Sequence, residues 1–145
     1  MTLNLIKLCV GCPSIEQLEE WQAARLADMR KRGVVAELKH TTRMTPKRRE
    51  ELLDGGSLYW VIKGSIQVRQ ALTDIRNFTD EDGIRRCDLM LGADLVATIP
   101  RRCRAFQGWR YYPSSDAPPD LPTKDGDFSD MPPALRQELA ELGLI

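Results

Sequence analysis

Histidine is almost missing from this chain of 145 residues, with His40 the only one. That excludes a His-rich metal pattern and leaves any Cys-His or Ser-His pair dependent on a single residue with nothing local to support it. Long apolar runs are missing too. None approaches the roughly 18 residues that a membrane-spanning helix needs. The first ten residues, MTLNLIKLCV, are interrupted by Asn4 and Lys7 and lack a small-residue cleavage site, so they do not read as a secretory signal. A cytoplasmic location without membrane attachment is the expectation. Cysteine is sparse: Cys9, Cys12, Cys87 and Cys103 are then expected as reduced thiols. The chain has no nucleophile elbow, no Walker loop and no dinucleotide fingerprint. No motif implies a cofactor, and whether the protein is an enzyme stays open.

What is present is an ordinary globular composition, 42% hydrophobic and 29% charged, at the usual size of one domain. The 145 residues are therefore expected to form a single domain. The formal net charge of zero hides an asymmetry. Residues 1–112 carry nineteen Lys and Arg against fourteen Asp and Glu, a basic body of net +5. Residues 113–145 carry two against seven, a tail of net −5 that also holds six of the nine prolines.

Leu3 to Val10 reads as a strand. Ser14 followed by Gln17 is a capping box, and Ile15, Leu18, Trp21, Gln22, Arg25, Leu26 and Met29 recur at helical spacing. Glu16, Glu19 and Glu20 stand early and Arg30, Lys31 and Arg32 late, as the helix dipole favours. Gly33 stops this long helix. Val34 to Thr42 alternates as a half-buried strand. Thr45-Pro46 opens a short helix, threonine as cap and proline at the first helical position, and Gly55-Gly56 ends it. Leu58 to Ile62, Ile66 to Ile75, Arg85 to Leu91, Leu95 to Ile99 and Ala105 to Tyr112 read as strands, with an Asp-Gly turn in Thr79 to Gly83. Successive strands with no helix between them argue for an α+β fold, an antiparallel barrel or curved sheet. Asp116 to Pro133 reads as an irregular loop, and Pro133 to Leu142 as a short C-terminal helix.

Three constellations bear on chemistry. Cys9-Val10-Gly11-Cys12 has the spacing of zinc knuckles and redox pairs, and equally of cysteines that fill small apolar spaces. Lys47, Arg48 and Arg49 stand in the first turn of a predicted helix, where cations oppose the dipole. Free N–H groups plus three cations make an anion site; the alternative is pairing with Glu50, Glu51 or the tail. Basic residues then interleave with aromatics, from Tyr59, Trp60, Lys63 and Arg69 to Arg101, Arg102, Arg104, Trp109, Arg110, Tyr111 and Tyr112. Charge for phosphates and rings for bases suit single-stranded nucleic acid, although alternation buries half the rings, with Trp60 and Trp109 the ones expected inside. The acidic cluster Asp80-Glu81-Asp82 is explained by turn chemistry.

The segments RMTPKR (43–48), GGSLYWVIKG (55–64), QVRQ (67–70), DEDG (80–83) and FQGWRY (106–111) together resemble a bacterial family of short uncharacterised proteins, a domain of unknown function. The resemblance covers nearly the whole chain; it implies a stand-alone protein and assigns no activity. More distantly, a short helix, a Gly-rich break and a strand bearing Lys and Arg are similar to PUA domains and their ASCH relatives, small barrels that often bind RNA. The ASCH pattern G-x-K-x-x-E-x-R is not present, since Gln67-Val68-Arg69 stands where an acidic residue is expected.

The leading expectation is a non-catalytic module that binds RNA or another anionic ligand through Arg43, Lys47, Arg48, Arg49, Tyr59, Lys63, Arg69, Arg110 and Tyr111, with the acidic tail able to fold over that surface. The alternatives are a small enzyme on a phosphorylated or nucleotide-like substrate, using His40 or an acidic residue as base, and a protein-interaction module. The oligomeric state is left open.

Overall fold

The computed structural model describes residues 2–121. Its first strand, β1 (Leu3–Leu8), leads into helix α1 (Ile15–Lys31). The capping box forms at least by half: the Ser14 hydroxyl accepts from the Gln17 backbone N–H at 3.2 Å, which satisfies one of the orphan donors at the helix start. Arg30 and Lys31 occupy the last turn, and Gly33 turns away at φ +72°. Only Leu18 of α1 is fully buried, so this helix rests on the sheet rather than plugging into it.

Strand β2 is shorter than its alternation predicts, Leu38–Thr42. Its only partner runs opposite those five residues, from Leu91 to Cys87, so Val34 and Val35 have nothing to pair with and stay exposed at 49% and 74%. The short helix α2 (Arg49–Leu53) also begins later than Thr45-Pro46 suggests. Thr45 does not cap it: its hydroxyl donates to Asn77 Oδ1 at 2.9 Å. The Lys47 and Arg48 backbone N–H groups instead donate to the Tyr111 hydroxyl, at 2.7 and 3.3 Å.

Strand β3 (Ser57–Ile62) is buried along its whole length. A two-residue turn at Lys63 (φ +50°) and Gly64 (φ +79°) has the twist that a tight hairpin requires and returns the chain as β4 (Ser65–Thr79). The next turn is built around Asp80, whose Oδ1 accepts from the backbone N–H of Asp82 and of Ile84, both at 2.9 Å, while Gly83 supplies φ +80°. Strand β5 (Arg85–Arg102) merges the two segments expected separately. The strand continues because β4 pairs with it on both sides of each of three register shifts. Strand β6 is Trp109–Pro113, with Gly108 before it at φ +70°.

The strand order is β2-β5-β4-β3-β1-β6. One expectation is corrected here and another narrowed. The sheet is mixed, because β1 pairs parallel with β3 while all other pairs are antiparallel. Among the described residues it is also open, with β2 and β6 at its edges, so of the barrel and the sheet that were expected it is the sheet that forms. The physical reason is the crossover: the segment between β1 and β3 holds α1 and α2 and carries the chain back to the same end of the sheet, which sets the two strands parallel. The predicted C-terminal helix lies outside the described residues. Among those described, no helix is long and apolar enough to cross a membrane.

Alternation along β3 divides the core. Leu58, Trp60 and Ile62 join Leu5, Val68, Leu89 and the helix residues Leu18 and Leu52 on one face. Tyr59 and Val61 join Ile6 and Ile66 on the other, covered by Phe106, Tyr112 and Ala117. At about 1.5–3 kcal/mol per fully buried large apolar side chain, β3 anchors both layers. Gly56, just before it, has no room for a side chain: a Cβ there would stand 2.2 Å from the carbonyl oxygens of Leu3 and Leu52.

Candidate functional site

Because α1 buries little of itself, a cleft of about 380 Å³ opens between it and the ends of β1, β2 and β3. Lys7, Cys9, Trp21, Gln22, Arg25, His40 and Trp60 line it, with Leu18, Leu38 and Leu91 as apolar floor. The size is that of a small-molecule site.

Gln70, fully buried on β4, holds the cleft in shape. Its amide exchanges two hydrogen bonds with the amide of Gln22, both at 3.0 Å, donates to the Gly92 carbonyl at 2.7 Å and accepts from the Trp60 indole N–H at 3.2 Å. One buried side chain thus ties α1, β3 and β5 together, with every polar atom of its amide engaged.

His40 on β2 meets Trp60 edge to face, with ring centroids 5.4 Å apart. Its Nε2 is buried and has no hydrogen-bond partner. Burial, with the nearby charges of Lys7 and Arg25 added, lowers its pKa to about 4, so the ring is neutral at pH 7. Burial also lowers the pKa of Lys7 below the ordinary lysine value. Lys39 belongs to the lining, but its ammonium lies 3.4 Å from Asp88. Arg25 reaches only the Lys39 carbonyl oxygen, at 3.4 Å. No acidic side chain lines the cleft among the described residues.

Cys9 and Cys12 close a turn at the cleft mouth, Cys12 N–H to Cys9 carbonyl at 3.2 Å, with Gly11 at φ +72°. Burial and the neighbouring Cys12 push the Cys9 thiol up to about 12, the reverse of the lowered value that makes a reactive thiolate. Cys87 lies in the helix-side core and Cys103 against the opposite face, so the four cysteines do not converge. Among the described residues no three Cys, His, Asp or Glu side chains gather as a metal site would require.

The family model described as "Protein of unknown function (DUF1489)" matches residues 5–145. The chain belongs to this family. No curated protein and no solved structure matches it. The family description names no activity, so any function has to come from the geometry.

The structure distributes the basic and aromatic residues singled out from the sequence. Lys47, Arg48 and Tyr111 gather at the start of α2, with Arg48 over the Tyr111 ring at 5.7 Å and also paired with Glu51. Arg49 is held by Asp74 at 2.5 Å. Tyr59, Arg69 and Arg110 belong to the opposite face. Tyr59 is 7% exposed and packs edge-on against Tyr112. Arg69 is bound by both oxygens of Asp120, at 2.7 and 2.8 Å, and Arg110 lies over Phe106 at 4.6 Å. Arg43 and Lys63 are exposed and stand apart from both groups, Arg43 just past β2 and Lys63 in its turn. Trp60 and Trp109 are buried at 4% and 6%.

Of the cleft, sequence reasoning named His40, as a candidate base, Cys9, and Trp60, the last as an inward-facing ring. It missed Lys7, Arg25, Gln22 and Gln70. A signal existed for all four: Lys7 interrupts the apolar strand β1, Gln22 and Arg25 stand on the apolar stripe of α1, and Gln70 falls in phase with Ile66, Val68 and Leu72, the inward positions of β4.

Proposed function

We propose that the chain binds a small anionic ligand, phosphorylated or nucleotide-like, in the cleft under α1. The observation that carries this reading is the charge composition there: Lys7 and Arg25 with no carboxylate in the described lining. Elsewhere cations are commonly answered, Arg32 by Asp28, Arg49 by Asp74, Arg69 by Asp120 and Arg86 by Asp80. Uncompensated cations beside Trp21, 45% exposed, suit a ligand that brings negative charge and a flat ring. The unpartnered Nε2 of His40 offers a polar contact deeper in.

Calorimetric titration with adenosine monophosphate, ribose 5-phosphate and inorganic phosphate tests it. One-site binding of the nucleotide is expected, weakened at least about tenfold, or about 1.4 kcal/mol, by Lys7→Met and by Arg25→Ala. Affinity indifferent to both substitutions overturns the proposal.

A second reading, RNA binding on the outer surface, is favoured by Arg43, Lys47, Lys63 and Arg110, which are exposed and carry no ion pair among the described residues. The PUA-like pattern in the sequence points the same way, and the open sheet away from it. Filter binding of single-stranded RNA across salt separates the two. On this reading Lys47→Gln and Lys63→Gln weaken binding and reduce the salt slope by about 0.7 per lost phosphate contact, while Lys7→Met leaves it unchanged.

A further inference from the structure

We propose that Lys7 is a carbonyl-reactive amine, so that the cleft takes a small anionic aldehyde or ketone and Lys7 Nζ joins it as an imine. This rests on the reading of the cleft as an anion site and names the class of ligand and the bond it makes.

A lysine becomes a nucleophile when its surroundings disfavour the ammonium, through desolvation or a neighbouring cation. The first condition is met at Lys7. It is half-buried in a cleft with an apolar floor, in register between Trp60 on β3 and Trp109 on β6. It has no carboxylate partner among the described residues, and Arg25 lines the same cleft. Lys39 provides the contrast within one site: its Nζ lies 3.4 Å from an Asp88 carboxylate oxygen, whereas Lys7 has no such partner among the described residues. Arg25, with five N–H donors in a planar fork, lines the same cleft and is suited to hold the ligand's anionic group while Lys7 reacts. His40, neutral and with an unused Nε2, lines the cleft too and offers the ligand a polar contact.

The chemistry balances without an oxidant or a metal. The Lys7 nitrogen lone pair attacks the carbonyl carbon, the C–O π bond opens, and a carbinolamine forms. The nitrogen gives up a proton to solvent water, the hydroxyl receives one and leaves as water, and a C=N bond remains. One water is released per ligand joined.

The test uses 4-carboxybenzaldehyde, a flat aldehyde bearing one carboxylate, with cyanoborohydride to reduce any imine to a stable secondary amine, followed by peptide mass mapping of the full chain. The expected result is one label per chain, at least about tenfold enriched at Lys7 over Lys31, Lys39, Lys47 and Lys63. Inorganic phosphate should slow it, Arg25→Gln should reduce it about tenfold, and uncharged benzaldehyde should label Lys7 far more slowly. Lys7→Arg, which keeps the charge and can be checked for folding by circular dichroism, should abolish the enriched label. Labelling spread over the lysines according to exposure, or unaltered by Lys7→Arg, overturns the proposal. If calorimetry still finds a nucleotide bound but Lys7 is not enriched, the imine is wrong and the anion site stands; if neither is found, both fall.

Discussion

The two faces of the sheet treat positive charge in opposite ways. On the face away from the helices, residues 119–121 run antiparallel to β5, with Ile99 N–H donating to the Pro119 carbonyl at 2.8 Å and Leu121 N–H to the Ala97 carbonyl at 2.9 Å. This places Asp120 on Arg69 with both oxygens, and Arg69 also donates to the Ser57 hydroxyl at 3.1 Å. The charge is spent on structure, as the pairing holds the start of the acidic tail against the body. Under α1, Lys7 and Arg25 line a cleft with no carboxylate among the described residues. The difference teaches that a basic residue in the sequence is not yet a binding residue. What matters is whether the fold supplies a counter-charge.

The comparison breaks most severely at Gln70. Replacing it with alanine leaves Gln22, the Trp60 indole N–H and the Gly92 carbonyl short of partners in a buried place, at a cost of about 3 kcal/mol. The denaturant midpoint should fall, and the cleft should lose ligand affinity along with stability, while the Arg69–Asp120 face keeps its geometry. Equal disruption of both faces, seen by amide hydrogen exchange, would show that they are not independent.

Next in size is the pH dependence of the helix side. His40 has a folded pKa of about 4 against an ordinary value of 6.5, so the unfolded chain binds the proton more readily. Stability from this group is therefore present above about pH 6.5 and is lost as pH falls toward 4, on the order of 2 kcal/mol over that window. His40→Phe should flatten the stability profile between those limits. A profile that keeps its full slope in this variant contradicts the assignment.

The smallest effect belongs to the compensated side. Asp120→Asn should cost no more than about 1 kcal/mol, because the pair is partly exposed and screened. It should free Arg69, measurable as a modest gain in RNA or phosphate affinity that disappears in the double variant with Arg69→Gln. Had the opposite face been the main anion site, this gain would exceed the loss caused by Lys7→Met.

Most of the local structure could be read from residues close in sequence. Ser14 and Gln17 mark the start of α1 because a capping hydrogen bond spans three residues. Asp80 to Gly83 mark their turn because a carboxylate and a left-handed glycine act within five. The strands β3 and β4 follow from aromatic and branched residues in alternation. The misses all depend on partners far along the chain. Thr45 looked like a cap but bonds Asn77. Val34 looked like strand but has no strand beside it. Gly92 to Asp94 looked like a break but forms an irregularity between the pairs Leu72–Leu91 and Gln70–Leu95, so β4 holds the strand on both sides of it.

By itself, then, the sequence determined the elements, the +5 body and −5 tail, the two glycine-bounded turns and the family to which the chain belongs. These follow from interactions of short range or from simple counting. Tertiary structure alone decided that β1 runs parallel to β3 and that, among the described residues, the sheet stays open and Lys7 and Arg25 have no carboxylate while Arg69 meets Asp120. Those outcomes depend on which charges and hydrogen-bonding groups are brought together across fifty or more residues. No local pattern encodes that, because the energy of a charge is set by its neighbours in space.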